Sequence, residues 1–230
     1  MRGRERLHFL QGLGVKKKNS IKVVVTSGPT RAYIDSIRFI SNYSTGALGS
    51  LTADKLAREG FEVSFIYGKG SLLPKSRGIK AVEIETVAEL LKALKKELRS
   101  GASAVIHAMA VLDYEPEKVI KGKVKSDRKF WAVRFKRTPK VINEIKKVSP
   151  GILLVGFKLE HGKGISGLRK SAEGLLKKSG ADFVVANDYG QIRKGNHKAV
   201  VFGLDGSRVP ASGKENIAEA IVDCLKERLC

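Results

Sequence analysis

Seven short runs of aliphatic and β-branched residues recur along the chain, most of them followed by a stretch with helical periodicity. They predict strands over Ile21–Ser27, Phe61–Tyr67, Ile79–Glu85, Ser103–Met109, Ile152–Lys158, Asp182–Asn187 and Lys198–Gly203. Most runs are apolar without a break, as in Val23-Val24-Val25 or Leu153-Leu154-Val155. A strand that is apolar on both faces needs helices on both sides of its sheet. The intervening segments supply them. Val87, Leu90, Leu91, Leu94 and Leu98 fall on one face of a helix, as do Ile217, Ile221, Leu225 and Leu229. A helix around 46–59 offers Gly49, Ala53 and Ala57, small enough to let it lie close to the sheet. Strand alternating with helix predicts an α/β chain, a Rossmann-like three-layer α/β/α domain on a mainly parallel sheet, filling residues 21–230. At 230 residues the chain is long enough to hold such a core without a disulfide or structural metal.

The charge is the second constraint. Lys and Arg number 44 against 23 Asp and Glu, a formal net charge of +21. Residues 1–18 carry six basic residues and one acidic residue, and read as an exposed basic lead-in over 1–20. Residues 118–147 carry twelve basic and two acidic residues, interrupted by Val124, Phe130, Trp131, Val133 and Phe135, and so read as structured. Such a stripe suits an anionic partner, whether a nucleic acid or a small phosphorylated ligand. Apolar side chains at 131, 133 and 135 alternate, and Lys123–Lys125 precedes them across a polar turn at 126–129. The pattern predicts a β-hairpin flap, at about 118–137, projecting from the sheet, with aromatic residues that a second subunit would bury. No apolar run reaches the roughly 20 residues of a membrane span, and no apolar stretch of secretory-signal type follows the basic N-terminus. With only two cysteines, Cys224 and Cys230, the expectation is a cytoplasmic protein.

Several segments at the expected carboxyl ends of strands carry chemistry. Thr26-Ser27-Gly28-Pro29-Thr30 closes the first strand with a Gly turn that can offer backbone N–H groups to an anion. It is neither a Walker loop nor a Gly-x-Gly-x-x-Gly fingerprint. Asn42-Tyr43-Ser44-Thr45-Gly46 then leads into the helix that contains Gly49. Ser44, Thr45 and Gly46 fit a phosphate cradle at a helix N-terminus, and equally fit a plain N-cap. Asp113 lies just past a strand end, Lys123 sits on the flap, and Phe157, Lys158 and Asn187 close later strands.

The ordered set is more specific than its parts. Gly28-Pro29-Thr30, Arg38 with Ile40 to Gly46, Asp113-Tyr114, Gly122-Lys123-Val124-Lys125, Arg137-Thr138-Pro139, Val155-Gly156-Phe157 and Ala186-Asn187-Asp188 occur in sequence. With them, roughly residues 21–229 resemble phosphopantothenoylcysteine synthetases, the ligases that join 4'-phosphopantothenate to cysteine in coenzyme A biosynthesis. The resemblance implies an acyl-nucleotide intermediate, made with CTP or ATP as co-substrate together with Mg²⁺. It also implies a homodimer with shared active sites. It assigns catalytic roles to Asn42, at the reacting carboxylate, and to the flap residue Lys123. Substrate contacts fall to Arg38, reaching a neighbouring subunit's site, and to Asn42, Met109, Ala110 and Asp113. Nucleotide contacts fall to Gly28, Ser44, Thr45, Gly46, Gly49, Asp113, Lys123, Pro139, Phe157, Lys158 and Asn187.

The chain departs from many bacterial relatives, which carry a flavin-dependent decarboxylase ahead of the synthetase. No such domain fits in 1–20, so a stand-alone synthetase without flavin is expected. Two lysines that contact the triphosphate in those relatives fall, by ungapped count, on Leu175 and Ser179, with Lys177 and Lys178 nearby but out of step. Lys158 is the expected substitute. Met109 stands where small residues are usual. The competing functions are a basic α/β nucleic-acid-binding protein and, further off, an oxidoreductase with a nucleotide cofactor. The Asn42–Gly46 segment favours a small-molecule ligase, with no specific nucleic-acid partner and no membrane association.

Overall fold

The computed structural model describes residues 21–127, 129–193 and 197–230. The proposed lead-in over 1–20 lies outside them. An eight-stranded sheet forms the middle layer, in the order β12-β11-β10-β9-β6-β1-β4-β5. Its strands are β1 (Lys22–Ser27), β4 (Glu62–Gly68), β5 (Lys80–Ile84), β6 (Ala104–His107), β9 (Leu153–Glu160), β10 (Phe183–Asp188), β11 (Lys198–Gly203) and β12 (Arg208–Ser212). The first six of these pair in parallel, and β11 and β12 extend the β10 edge antiparallel. Numbered by their order along the chain, the six parallel strands run 3-2-1-4-5-6. That is the doubly wound order, whose direction reverses between β1 and β6.

Alternation along each strand divides the core in two. Val24, Ile66, Val105, Leu154 and Val184 point to one face, where they meet α2 (Val87–Arg99), α3 (Val141–Val148) and α4 (Ile165–Ser179). Val23, Val25, Phe65, Ile106, Val155 and Val185 point to the other, under α1 (Ala47–Arg58) and α6 (Lys214–Leu229). A short helix, α5 (Tyr189–Arg193), follows β10. The three-layer, mainly parallel architecture is therefore as expected. All seven runs form sheet strands, and the helix patterns at 46–59, 87–98 and 217–229 form α1, α2 and α6.

Two small antiparallel pairs stand outside the sheet. β2 (Arg31–Tyr33) pairs with β3 (Phe39–Ser41), and β7 (Tyr114–Pro116) pairs with β8 (Phe135–Arg137). The second pair corrects the predicted details of the flap. Lys123–Lys125 is not a strand, and the ladder lies at the base of the segment, between 114–116 and 135–137. The reason is Val124. Its side chain is buried, and its N–H donates to Asp35 Oδ2 at 3.2 Å, so this stretch is turned inward and has no ladder partner to offer. The predicted turn at 126–129 lies partly outside the described residues.

Candidate active site

Ligands of open α/β sheets bind beyond the carboxyl ends of the strands, where the winding reverses. Here that point lies between Ser27 at the end of β1 and His107 at the end of β6. A cleft of about 1130 Å³ opens there.

Its first wall is the start of α1. Gly46 is the N-cap residue and has φ 72, a left-handed conformation that an L side chain adopts only with strain. The Ser44 and Thr45 hydroxyls lie 3.3 and 3.4 Å from the N–H groups of Gly46 and Ala47, and no side chain caps α1. Beyond Ala47, the Leu48 and Gly49 N–H groups of its first turn are thus left to receive an anion. The helix also sits very close to the sheet. A Cβ on Gly49 would fall 2.4 Å from Ser27 Oγ, and that hydroxyl donates to Gly46 O at 2.9 Å.

The floor is the segment after β6. Ala108 N–H and Ala110 N–H donate to the carbonyls of Thr26 and Gly28, continuing the β1–β6 contact past the strand ends. His107 is buried beneath it, with Nδ1 2.8 Å from Thr26 Oγ1. Burial, helped by the nearby Lys140 charge, lowers its pKa to about 4 and keeps the ring neutral. Met109 is buried, and the Asn42 amide donates to Val111 O at 3.1 Å. This leaves Asn42 a second N–H and its carbonyl oxygen for another partner.

Cationic side chains ring the opening. Lys140 donates to Asp113 Oδ1 at 2.7 Å, and Lys158 lies 3.5 Å from Glu160. Lys178 and Lys214 also line the cleft. Phe157 and Asn187 close the far side, with Asn187 Nδ2 3.3 Å from His197 Nε2.

Asn42, Ser44, Thr45, Gly46, Gly49, Met109, Ala110, Asp113, Pro139, Phe157, Lys158 and Asn187 all line this one cleft. Gly28 lies just behind it, its N 3.2 Å from where a Cβ on Gly46 would stand. Arg38 and Lys123 are not among the lining residues. Arg38 is half-buried against Asp35 and the Val124 carbonyl, and Lys123 is exposed on the flap. Sequence reasoning left His107, Lys140 and Lys214 unassigned and placed Lys178 out of step. Helical phase could have found Lys178, since Ser171, Gly174, Leu175 and Lys178 follow i, i+3, i+4, i+7 and all face the cleft. Ser179, its neighbour, turns inward and donates to Leu175 O.

The chain is 33% identical over 222 residues to a coenzyme A biosynthesis bifunctional protein CoaBC from Thermococcus kodakarensis, covering 96% of this chain and 54% of that one. It therefore spans about half the length of the curated relatives it matches. Among solved structures, a DNA/pantothenate metabolism flavoprotein from Streptococcus pneumoniae superposes with a TM-score of 0.84 at 31% identity, covering 91% of this chain and all of that one. The C-terminal domain of a coenzyme A biosynthesis bifunctional protein CoaBC does so with a TM-score of 0.76 at 25% identity, covering 91% and 95%. The family model for the DNA/pantothenate metabolism flavoprotein C-terminal domain matches residues 18–229, and the chain belongs to that family.

Proposed function

We propose that the chain is a phosphopantothenate–cysteine ligase using CTP or ATP. The observation that carries this reading is the cleft at the winding reversal. The uncapped start of α1 and four lysines (Lys140, Lys158, Lys178 and Lys214) converge there on a space large enough for a nucleoside triphosphate and a second phosphorylated substrate. The relatives' names place them in coenzyme A biosynthesis, and a chain of similar fold, Cab2, has been solved with phosphopantothenate-cysteine.

In this reading the α1 N-terminus and the lysines bind the phosphates, and Phe157 and Asn187 hold the nucleoside. Asn42 orients the pantothenate carboxylate, whose oxygen attacks the α-phosphorus of the nucleotide. The bond to the pyrophosphate oxygen breaks, and pyrophosphate leaves. The cysteine amine then attacks the acyl carbon and gives up a proton to solvent, an amide forms, and the nucleoside monophosphate departs with the electron pair of the broken acyl–oxygen bond. Lys123 stabilises the charge on the departing phosphate. Mg²⁺ enters as part of the triphosphate substrate. Among the described residues no three His, Cys, Asp or Glu side chains cluster as a ligand set, so the phosphates themselves would supply most of its oxygens.

Ile37, Phe39, Val119, Ile120, Phe130 and Phe135 are exposed on the β2–β3 hairpin and the flap, beside Arg38. A second copy of the chain covering this patch would bury it and bring Arg38 to the partner's site, which is the homodimer with shared sites that the sequence suggests.

The test is pyrophosphate release and ligated product, measured with CTP and with ATP in the presence of phosphopantothenate and cysteine. Turnover with one nucleotide, dependent on both substrates, is expected. No turnover with either would sink the proposal. Asn42→Asp places a second negative charge against the reacting carboxylate and is expected to lower turnover at least about a hundredfold.

A further inference from the structure

Asp35 and Ser36, in the turn between β2 and β3, have no role in the reading above, yet Asp35 is a buried carboxylate engaged on every side. Its Oδ1 accepts the N–H groups of Ile37 at 3.0 Å and Arg38 at 2.7 Å. Its Oδ2 accepts the Arg38 guanidinium at 3.3 Å and, across 89 residues of chain, the Val124 N–H at 3.2 Å. Burial opposes its charge, but these N–H groups and Arg38 outweigh that and hold the carboxyl below the usual carboxylate range. Ser36 and Gly122 exchange two further bonds. Gly122 N–H donates to Ser36 Oγ at 2.8 Å, and Ser36 N–H donates to Gly122 O at 3.2 Å. Arg38 completes the clasp through Val124 O at 3.3 Å and by lying 5.1 Å from the centre of the Trp131 ring.

The two flap residues held in this way, Gly122 and Val124, flank Lys123. We propose that Asp35 and Ser36 are positioning residues that latch the flap on both sides of Lys123 and so fix where its ammonium group can reach. The exposed Lys123 side chain is free to swing, but its backbone is tied to the turn that carries Arg38. This inference rests on the ligase reading for what Lys123 does, though not for the existence of the latch.

Asp35→Asn replaces one oxygen by an NH₂ group, which must then face N–H donors whichever way the amide turns. Ser36→Ala is a milder cut on an exposed residue that leaves Arg38 untouched. In the full chain, amide hydrogen exchange at Val124 in Asp35→Asn, and at Gly122 in Ser36→Ala, should accelerate about tenfold or more. Turnover number should fall about tenfold in Asp35→Asn and about threefold in Ser36→Ala, with the Michaelis constant for nucleotide within about twofold, because a displacement of about 1 Å penalises the transition state first. In a Lys123→Ala background the Ser36→Ala loss should disappear, whereas a merely structural role would leave it in place.

Unchanged exchange at both amides would overturn the latch. Faster exchange with undiminished turnover, or a Ser36→Ala loss that persists without Lys123, would overturn the positioning role. Absence of turnover in the unsubstituted chain would overturn the ligase reading and the positioning role with it, while the exchange rates would still report on the latch.

Discussion

Two side chains in the cleft differ from their neighbours in ways that have consequences. Lys158 is tied to Glu160, whereas Lys178, one helical turn from Gly174 and Leu175, has no carboxylate partner among the described residues. A free ammonium group has more to gain from a phosphate than one that must leave an existing pair. Lys178→Ala is therefore expected to raise the Michaelis constant for nucleotide about tenfold, and Lys158→Ala by less, in the same steady-state assay. His107 is the second case. Its folded pKa of about 4 lies below the ordinary 6.5, so between these values the unfolded chain binds a proton that the folded chain refuses. Stability contributed by the neutral ring is thus complete above about pH 6.5 and is lost as pH falls toward 4. Its slope approaches about 1.4 kcal/mol per pH unit. His107→Asn should flatten that slope, measured by denaturant unfolding at pH 7, 6 and 5. Asn42 and Asp113 were legible as cleft residues because Asn42 opens a motif that leads into a helix start and Asp113 follows a strand end. Lys178 was not, because a lysine on an amphipathic helix looks the same in sequence whether it faces solvent or a cleft, and neither was Lys140, whose place in the extended residue just ahead of α3 carries no pattern of its own.

At the scale of elements, the parallel strands were legible because burial on both faces leaves an unbroken apolar run. The pairs outside the sheet left no such mark. β2, β3, β7 and β8 are three residues each, and β12 contains Pro210 and is largely exposed, as suits an edge strand. The apolar alternation at 131–135 was real, since Trp131 and Val133 are half-buried. It does not mark a ladder there, because the segment packs on the Arg38 turn and pairs only from Phe135 onward. Between elements, one carboxylate joins four. Glu97 of α2 is buried and meets Lys22 of β1 at 2.8 Å, Lys80 of β5 at 2.6 Å and Ser64 of β4 at 2.9 Å. Burial pushes its pKa up, but these partners outweigh burial and bring it down to about 2. Its contribution is present above about pH 4.5 and is lost as pH falls from there toward 2. Glu97→Ala should cost on the order of 3 kcal/mol at pH 7, and the difference from the unsubstituted chain should shrink in urea titrations at pH 3.

At the scale of the molecule, the excess charge has a place. Lys118, Lys121, Lys123, Lys125 and Lys129 are exposed along the flap, which the Asp35 turn holds through Val124, so much of the positive field is concentrated on this one segment. The same surface carries the apolar patch. Phe130 is 83% exposed there, far more than a monomer would gain from. In the proposed homodimer this patch is the seam, so Phe130→Asp is expected to give a smaller sedimentation coefficient than the unsubstituted chain and lower turnover in step, with the thermal midpoint changing little; equal sedimentation of the two would overturn that role for the patch.

The direction of the strands also decides where other things can be attached. Ile21 leads into the central strand β1 at the end opposite the cleft, its carbonyl accepting the Glu62 N–H at 3.0 Å. α6 starts at the cleft with Lys214 and ends beside the last turn of α1, where Lys226 meets Glu59 at 2.6 Å. Both ends of the described fold therefore emerge on its far side. A catalytic module, reporter or surface tether spliced onto either one would hang behind the sheet, away from the cleft. The architecture is thus compatible with gaining or shedding a neighbouring enzyme without being rebuilt.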